Sequence, residues 1–164
     1  MYQFFAPRSS TKSLVRLPAS YREKSCWQPR LGDAFPYCTF NTNLGPMSLL
    51  EMAGDNWIYL FSLPQAFSPI CTAELANFSR HQAEFERLGV KLVAFSQSTI
   101  ERQQEWHNMM ESQFGISVRI SFVEDPDLSL AKCFGILHPR ESTESMIRKS
   151  FVLDSEHTIR SLID

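Results

Sequence analysis

The chain is 164 residues long, 43% hydrophobic and 21% charged, with sixteen basic and eighteen acidic side chains giving a net charge of −2. That length suits one domain able to bury roughly 70% of its unfolded surface, and the charge balance argues against a nucleic-acid footprint. No apolar run reaches the ~20 residues of a membrane span, and Cys26, Cys38, Cys71 and Cys133 are too few and too irregularly spaced for a disulfide framework.

Residues 1–30 form the first unit. They hold Arg8, Lys12, Arg16, Arg22, Lys24 and Arg30 against one acid, Glu23, which leaves ten basic and seventeen acidic residues for 31–164. Pro7, Pro18 and Pro29 break helices, and the segment lacks the apolar stretch of a secretory signal. A basic arm docked on an acidic body is preferred over a transit segment. The expected location is the cytoplasm, or an organelle if the arm is a transit segment.

The body, 31–164, reads as alternating strands and helices. Phe35–Phe40 and Met47–Leu50 flank the turn-rich Asn41–Pro46 and predict an N-terminal hairpin. Trp57–Phe61 is a continuous apolar run, the mark of a strand buried on both faces. Leu75, Phe78, Phe85 and Leu88 then keep a helical period that Gly89 ends. Val90–Ser96 reads as a strand, Thr99–Gln113 as a helix and Val118–Val123 as extended. A helix over Pro126–Phe134 takes Asp125 as its cap. Arg148–Leu153 and Thr158–Ile163 pair as a closing hairpin. The fold class is α/β, a mixed sheet flanked by helices.

Most candidate chemistry drops out. His81, His107, His138 and His157 share no metal-ligand spacing with one another or with a cysteine pair. Six glycines supply no phosphate-cradling loop. Glu124, Asp125 and Asp127 read as a capped helix start, and Trp106 with Met109 and Met110 as core. No metal and no cofactor is expected.

One segment stands apart, Phe61-Ser62-Leu63-Pro64-Gln65-Ala66-Phe67-Ser68-Pro69-Ile70-Cys71-Thr72-Ala73-Glu74-Leu75. It joins a buried strand to an amphipathic helix. Ser68 suits the N-cap and Pro69 the first helical position, so Cys71 falls at the third. There its sulfur meets unpaired backbone N–H groups and the positive end of the helix dipole, both of which favour negative charge. The bland alternative is a small buried hydrophobe.

The spacing Pro64-x-x-x-Ser68-x-x-Cys71, followed by Thr72-x-Glu74-Leu75, resembles the peroxidatic motif of the peroxiredoxins. Ile147-Arg148-Lys149-Ser150-Phe151-Val152-Leu153-Asp154 is similar to that family's arginine before the last strands. Leu31–Pro36 is similar to its opening, and Glu124-Asp125-Pro126 through Phe134-Gly135-Ile136 to a later loop and helix. The resemblance implies a thioredoxin-like fold and reduction of hydrogen peroxide or an organic hydroperoxide. It also implies roles: Cys71 as nucleophile, Ser68 bonding peroxide and sulfur, Arg148 stabilising negative charge, Pro64 shielding the pocket and Glu74 orienting Arg148. Lowering a thiol from ~8.5 to about 6 requires roughly 3.4 kcal/mol. A helix terminus supplies at most ~2 kcal/mol, so this reading requires the arginine.

The likeness is incomplete. The closing hairpin runs up to Asp164 with no C-terminal helix after it, so apolar sheet surface needs another cover. Residues 1–30 or a second subunit are the expected covers, which points to a homodimer. Ala94-Phe95-Ser96-Gln97-Ser98 lacks the acid often found after this strand. Cys38 and Cys133 read as core, which leaves Cys26 as the mobile candidate for resolving Cys71. An external thiol is the expected reductant. The rival reading is a redox-inactive module that keeps the fold; a dithiol oxidoreductase is disfavoured because Cys71-Thr72-Ala73-Glu74 is not Cys-x-x-Cys.

Overall fold

The computed structural model describes residues 29–137 and 144–164. The basic arm, Cys26 and His138 lie outside the described residues, apart from Pro29 and Arg30 at the arm's end. Among the described residues, seven strands make one mixed sheet: β1 (Thr39–Thr42), β2 (Gly45–Ser48), β3 (Trp57–Ser62), β4 (Val90–Ser96), β5 (Ser121–Glu124), β6 (Ser150–Leu153) and β7 (Ile159–Ile163). Their order is β2-β1-β5-β4-β3-β6-β7. The helices among the described residues are α1 (Leu49–Ala53), α2 (Pro69–Arg87), α3 (Ile100–Phe114) and α4 (Ser129–Cys133).

β3, β4 and β5 are parallel. Parallel neighbours need crossover connections, and α2 and α3 provide them. The remaining pairs, β1 with β2 and β5, and β6 with β3 and β7, are antiparallel.

Period-two alternation divides the interior into two cores. Ile58, Leu60, Val93, Phe95, Val123, Phe151 and Leu153 face one side, packed with Leu49 and Ala53 of α1 and Leu130 and Ala131 of α4. Phe61, Leu92, Ala94 and Phe122 face the other, against Cys71 and Leu75 of α2 and Trp106 and Met110 of α3. The continuous apolar runs of β3 and β4 follow from this, since both faces of each strand are covered. Cys71 therefore lies on one side of the sheet, while Cys38 and Cys133 belong to the other.

Strands β1, β5 and β6 begin later than expected, at Thr39, Ser121 and Ser150, and three further boundaries depart for local reasons. The hairpin loop shrinks to Asn43-Leu44, with β1 and β2 reaching Thr42 and Gly45. Gly45 has φ 97°, a left-handed value that suits glycine. Leu49 and Leu50 are helical rather than extended, because Ser48 and Glu51 form a reciprocal capping box that starts α1. The helix expected from Pro126 begins only at Ser129. Leu128, not Asp125, holds the N-cap position, and the Asp125 carboxylate reaches the first turn from further back, accepting from Leu130 N at 3.0 Å and Ala131 N at 2.7 Å.

His107 packs its ring edge-on against Phe122, with centroids 4.6 Å apart. Burial pushes its pKa down to about 4. Between an unfolded value near 6.5 and about 4, the unfolded chain binds the extra proton, so acid lowers stability. The loss approaches about 3 kcal/mol by pH ~4. His157 is shifted the same way by burial, opposed by Asp154, whereas burial of Asp125 raises its carboxyl. Thermal unfolding of wild type and His107→Leu from pH 7 to 4 checks this: the variant should lose much less stability over that window.

Candidate active site

β3 leads through Leu63-Pro64 into the loop before α2, and two hydrogen bonds and the packing of Phe67 fix that loop. Leu63 N donates to Phe95 O at 2.8 Å, and Ala66 N donates to the Ser98 hydroxyl at 3.0 Å. Phe67 turns the chain at φ 64°, strained backbone for a bulky side chain. Its ring lies 4.3 Å from the Arg102 guanidinium and 6.4 Å from the Trp106 ring, contacts that offset the strain.

Ser68 occupies the N-cap with Pro69 following, so Cys71 is the third helical residue as expected. The expected hydroxyl cap is absent: Ser68 makes no side-chain capping bond. The Ser68 carbonyl accepts from both Thr72 N and Thr72 Oγ1, each at 2.8 Å. Thr72 Oγ1 in turn accepts from Trp106 Nε1 at 3.0 Å. Trp106 is wholly buried core, as its sequence context indicates, yet its polar edge also pins the first turn of α2 to α3.

Arg148 stands just before β6. Its Nη2 donates to Cys71 Sγ at 3.3 Å, across 77 residues of sequence. Its Nη1 bonds the Glu74 carboxylate, one helical turn beyond Cys71. The guanidinium fork is thus split between sulfur and carboxylate. Burial raises the Glu74 carboxyl, and the Arg148 charge and hydrogen bond oppose that rise. Cys71 itself is 1% exposed, so its sulfur is almost wholly withdrawn from bulk water.

The structure brings Cys71, Arg148 and Glu74 into direct contact. Pro64 lies partly buried in the loop between β3 and α2, and Ser68 is half-buried one turn before the sulfur. The acids 124–127 belong elsewhere: Glu124 accepts from Ile100 N and Asn41, while Asp125 and Asp127 accept at the start of α4. Among the described residues, no cluster of His, Cys, Asp and Glu could hold a metal ion, and no helix is long and apolar enough to cross a membrane. Sequence reasoning gave no role to Thr72, Ser98 or Arg102, each of which acts on the loop or first turn rather than on the sulfur.

Comparison with known proteins adds to this geometry. The AhpC/TSA family model matches residues 31–162. A peroxiredoxin of Treponema denticola is 34% identical over 135 residues, covering 82% of this chain and 64% of its own length. One of Aquifex aeolicus is 31% identical, covering 82% and 61%. The chain thus spans about three-fifths of the length of these curated relatives. Among solved structures, a mutant of peroxiredoxin 6 of Arenicola marina superposes with a TM-score of 0.75 at 26% identity, covering 82% of this chain and 64% of that one.

Proposed function

The chain belongs to the AhpC/TSA family, and from that premise we propose that it is a thiol peroxidase in which Cys71 reduces hydrogen peroxide or an organic hydroperoxide. One observation carries the reading: a cysteine in the first turn of α2 accepts a hydrogen bond from an arginine at 3.3 Å. The Cys71 sulfur, as thiolate, attacks the nearer peroxide oxygen. The S–O bond forms as the O–O bond breaks, and the departing oxygen takes a proton to leave as water or alcohol. Cys71 becomes a sulfenic acid, oxidised by two electrons, and the peroxide is reduced by two.

The other residues serve that displacement. Arg148 balances negative charge on sulfur and on the developing leaving group. Glu74 holds the guanidinium in place, and Pro64 limits access of water to the pocket. Ser68, whose hydroxyl makes no capping bond, offers that hydroxyl to the peroxide. Two equivalents of external thiol return the sulfenic acid to thiol, with no metal or organic cofactor in the cycle. The first condenses with it to a mixed disulfide and water, and the second displaces the Cys71 thiolate and leaves as the external disulfide. A homodimer is part of this reading.

Intact mass after one equivalent of hydrogen peroxide tests the assignment. The reduced wild type should gain one oxygen, and Cys71→Ser should gain none. An unreactive wild type overturns the reading in favour of a redox-inactive module.

A further inference from the structure

We propose that Ser62 is a positioning residue for Arg148, an inference that rests on the assignment of Cys71 and Arg148 above. Ser62 ends β3 and is 2% exposed, the sole hydroxyl in an otherwise aromatic and aliphatic strand apart from Tyr59. The β3–β6 ladder pairs residues only as far as Phe61 with Ser150. Beyond that point the segment carrying Arg148 needs another anchor, and the Ser62 side chain supplies it.

The hydroxyl of Ser62 donates to Ile147 O at 2.7 Å and accepts from Lys149 N at 2.8 Å. The Ser62 backbone N–H donates to Lys149 O at 3.0 Å. Ile147 N, the remaining flanking group, donates to Ile136 O at 2.8 Å. The peptide groups on both sides of Arg148 are therefore clamped, mostly by one residue. A hydroxyl is suited to this because it donates and accepts at once.

Alanine at this position leaves a half-buried N–H and a half-buried C=O without this partner, and they then rotate towards others. Arg148 is a long side chain hinged on that short segment. A small rotation of its backbone moves the guanidinium by more than the slack in a hydrogen bond, and misplacement of about 1 Å at a reacting centre costs up to about 10²-fold in rate. Ser62 also stands immediately before the loop that leads into α2 and Cys71, so one residue sets the arginine and that loop in a common frame.

The experiment is a double-mutant cycle on the single-turnover reaction of reduced protein with hydrogen peroxide. Ser62→Ala should slow the reaction about 10-fold or more, while Ser62→Thr, which keeps the hydroxyl, should recover most of the rate. With Arg148→Ala already present, Ser62→Ala should change the rate less than about twofold, because its effect passes through the arginine. A purely structural serine gives the same factor in both backgrounds, and that result overturns the proposal. So does a Ser62→Ala variant at the wild-type rate, or a folded Ser62→Thr variant as slow as an alanine one. A wild type that leaves peroxide untouched fails at the peroxidase assignment itself, and the role of Ser62 falls with it.

Discussion

Arg148→Ala will slow the attack of Cys71 on hydrogen peroxide by about 10²–10³-fold, the usual cost of removing one preorganised donor from a developing anion. At 3.3 Å from the sulfur, a guanidinium attracts an ionised sulfur by about 4–5 kcal/mol at an effective dielectric near 20. The dipole of α2 supplies at most ~2 kcal/mol, so it does not substitute for the lost charge. Stability should change little, because the Arg148 and Glu74 side chains are 39% and 32% exposed and such pairs contribute about 0–1 kcal/mol. Arg148→Lys keeps the charge but has no planar fork to reach sulfur and carboxylate together. It should fall between alanine and wild type. Stopped-flow kinetics with melting curves on the same samples check both variants, and a wild-type rate in Arg148→Ala removes the arginine from the mechanism.

The features legible in the sequence are those with strong local signals. β3 announces itself by Trp57–Phe61, and α2 by Ser68-Pro69 followed by an apolar period, which together place Cys71 in the first turn. Arg148 came from the family resemblance. No local pattern specifies contact across 77 residues, and only the β3–β6 pairing supplies it. The misses share a cause: short polar side chains serve either as caps or as bridges, and tertiary contacts choose between them. Ser48 was readable, since Ser48-x-x-Glu51 is a capping box, yet its apolar neighbours favoured a longer strand. Ser68 stands at a cap position without capping. Ser62, by contrast, looks like a polar interruption of a strand, and only the approach of residues 147–149 gives its hydroxyl a purpose.

Without an added thiol, peroxide consumption will stop after about one equivalent per chain, and no disulfide will join Cys71 to Cys38 or Cys133. Resolution of a sulfenic acid needs a thiol that is ionised and within reach, since a disulfide brings two sulfurs to about 2.05 Å. Cys38 meets neither condition. Burial, reinforced by Cys133 nearby, pushes its thiol up to about 12, which leaves about one thiolate in 10⁵ at neutral pH. Cys38 and Cys133 also pack with the core on the face of the sheet opposite Cys71. Reaching the site would require breaking the sheet between them. Adding dithiothreitol should therefore restore turnover, and a Cys38→Ser/Cys133→Ser variant should turn over like the wild type. Peptide mass mapping after stoichiometric peroxide should find Cys71 as a trappable sulfenic acid. A disulfide from Cys71 to Cys26, which lies outside the described residues, would move resolution from an external thiol to the basic arm. A disulfide to Cys38 or Cys133 would contradict the separation of the two cores.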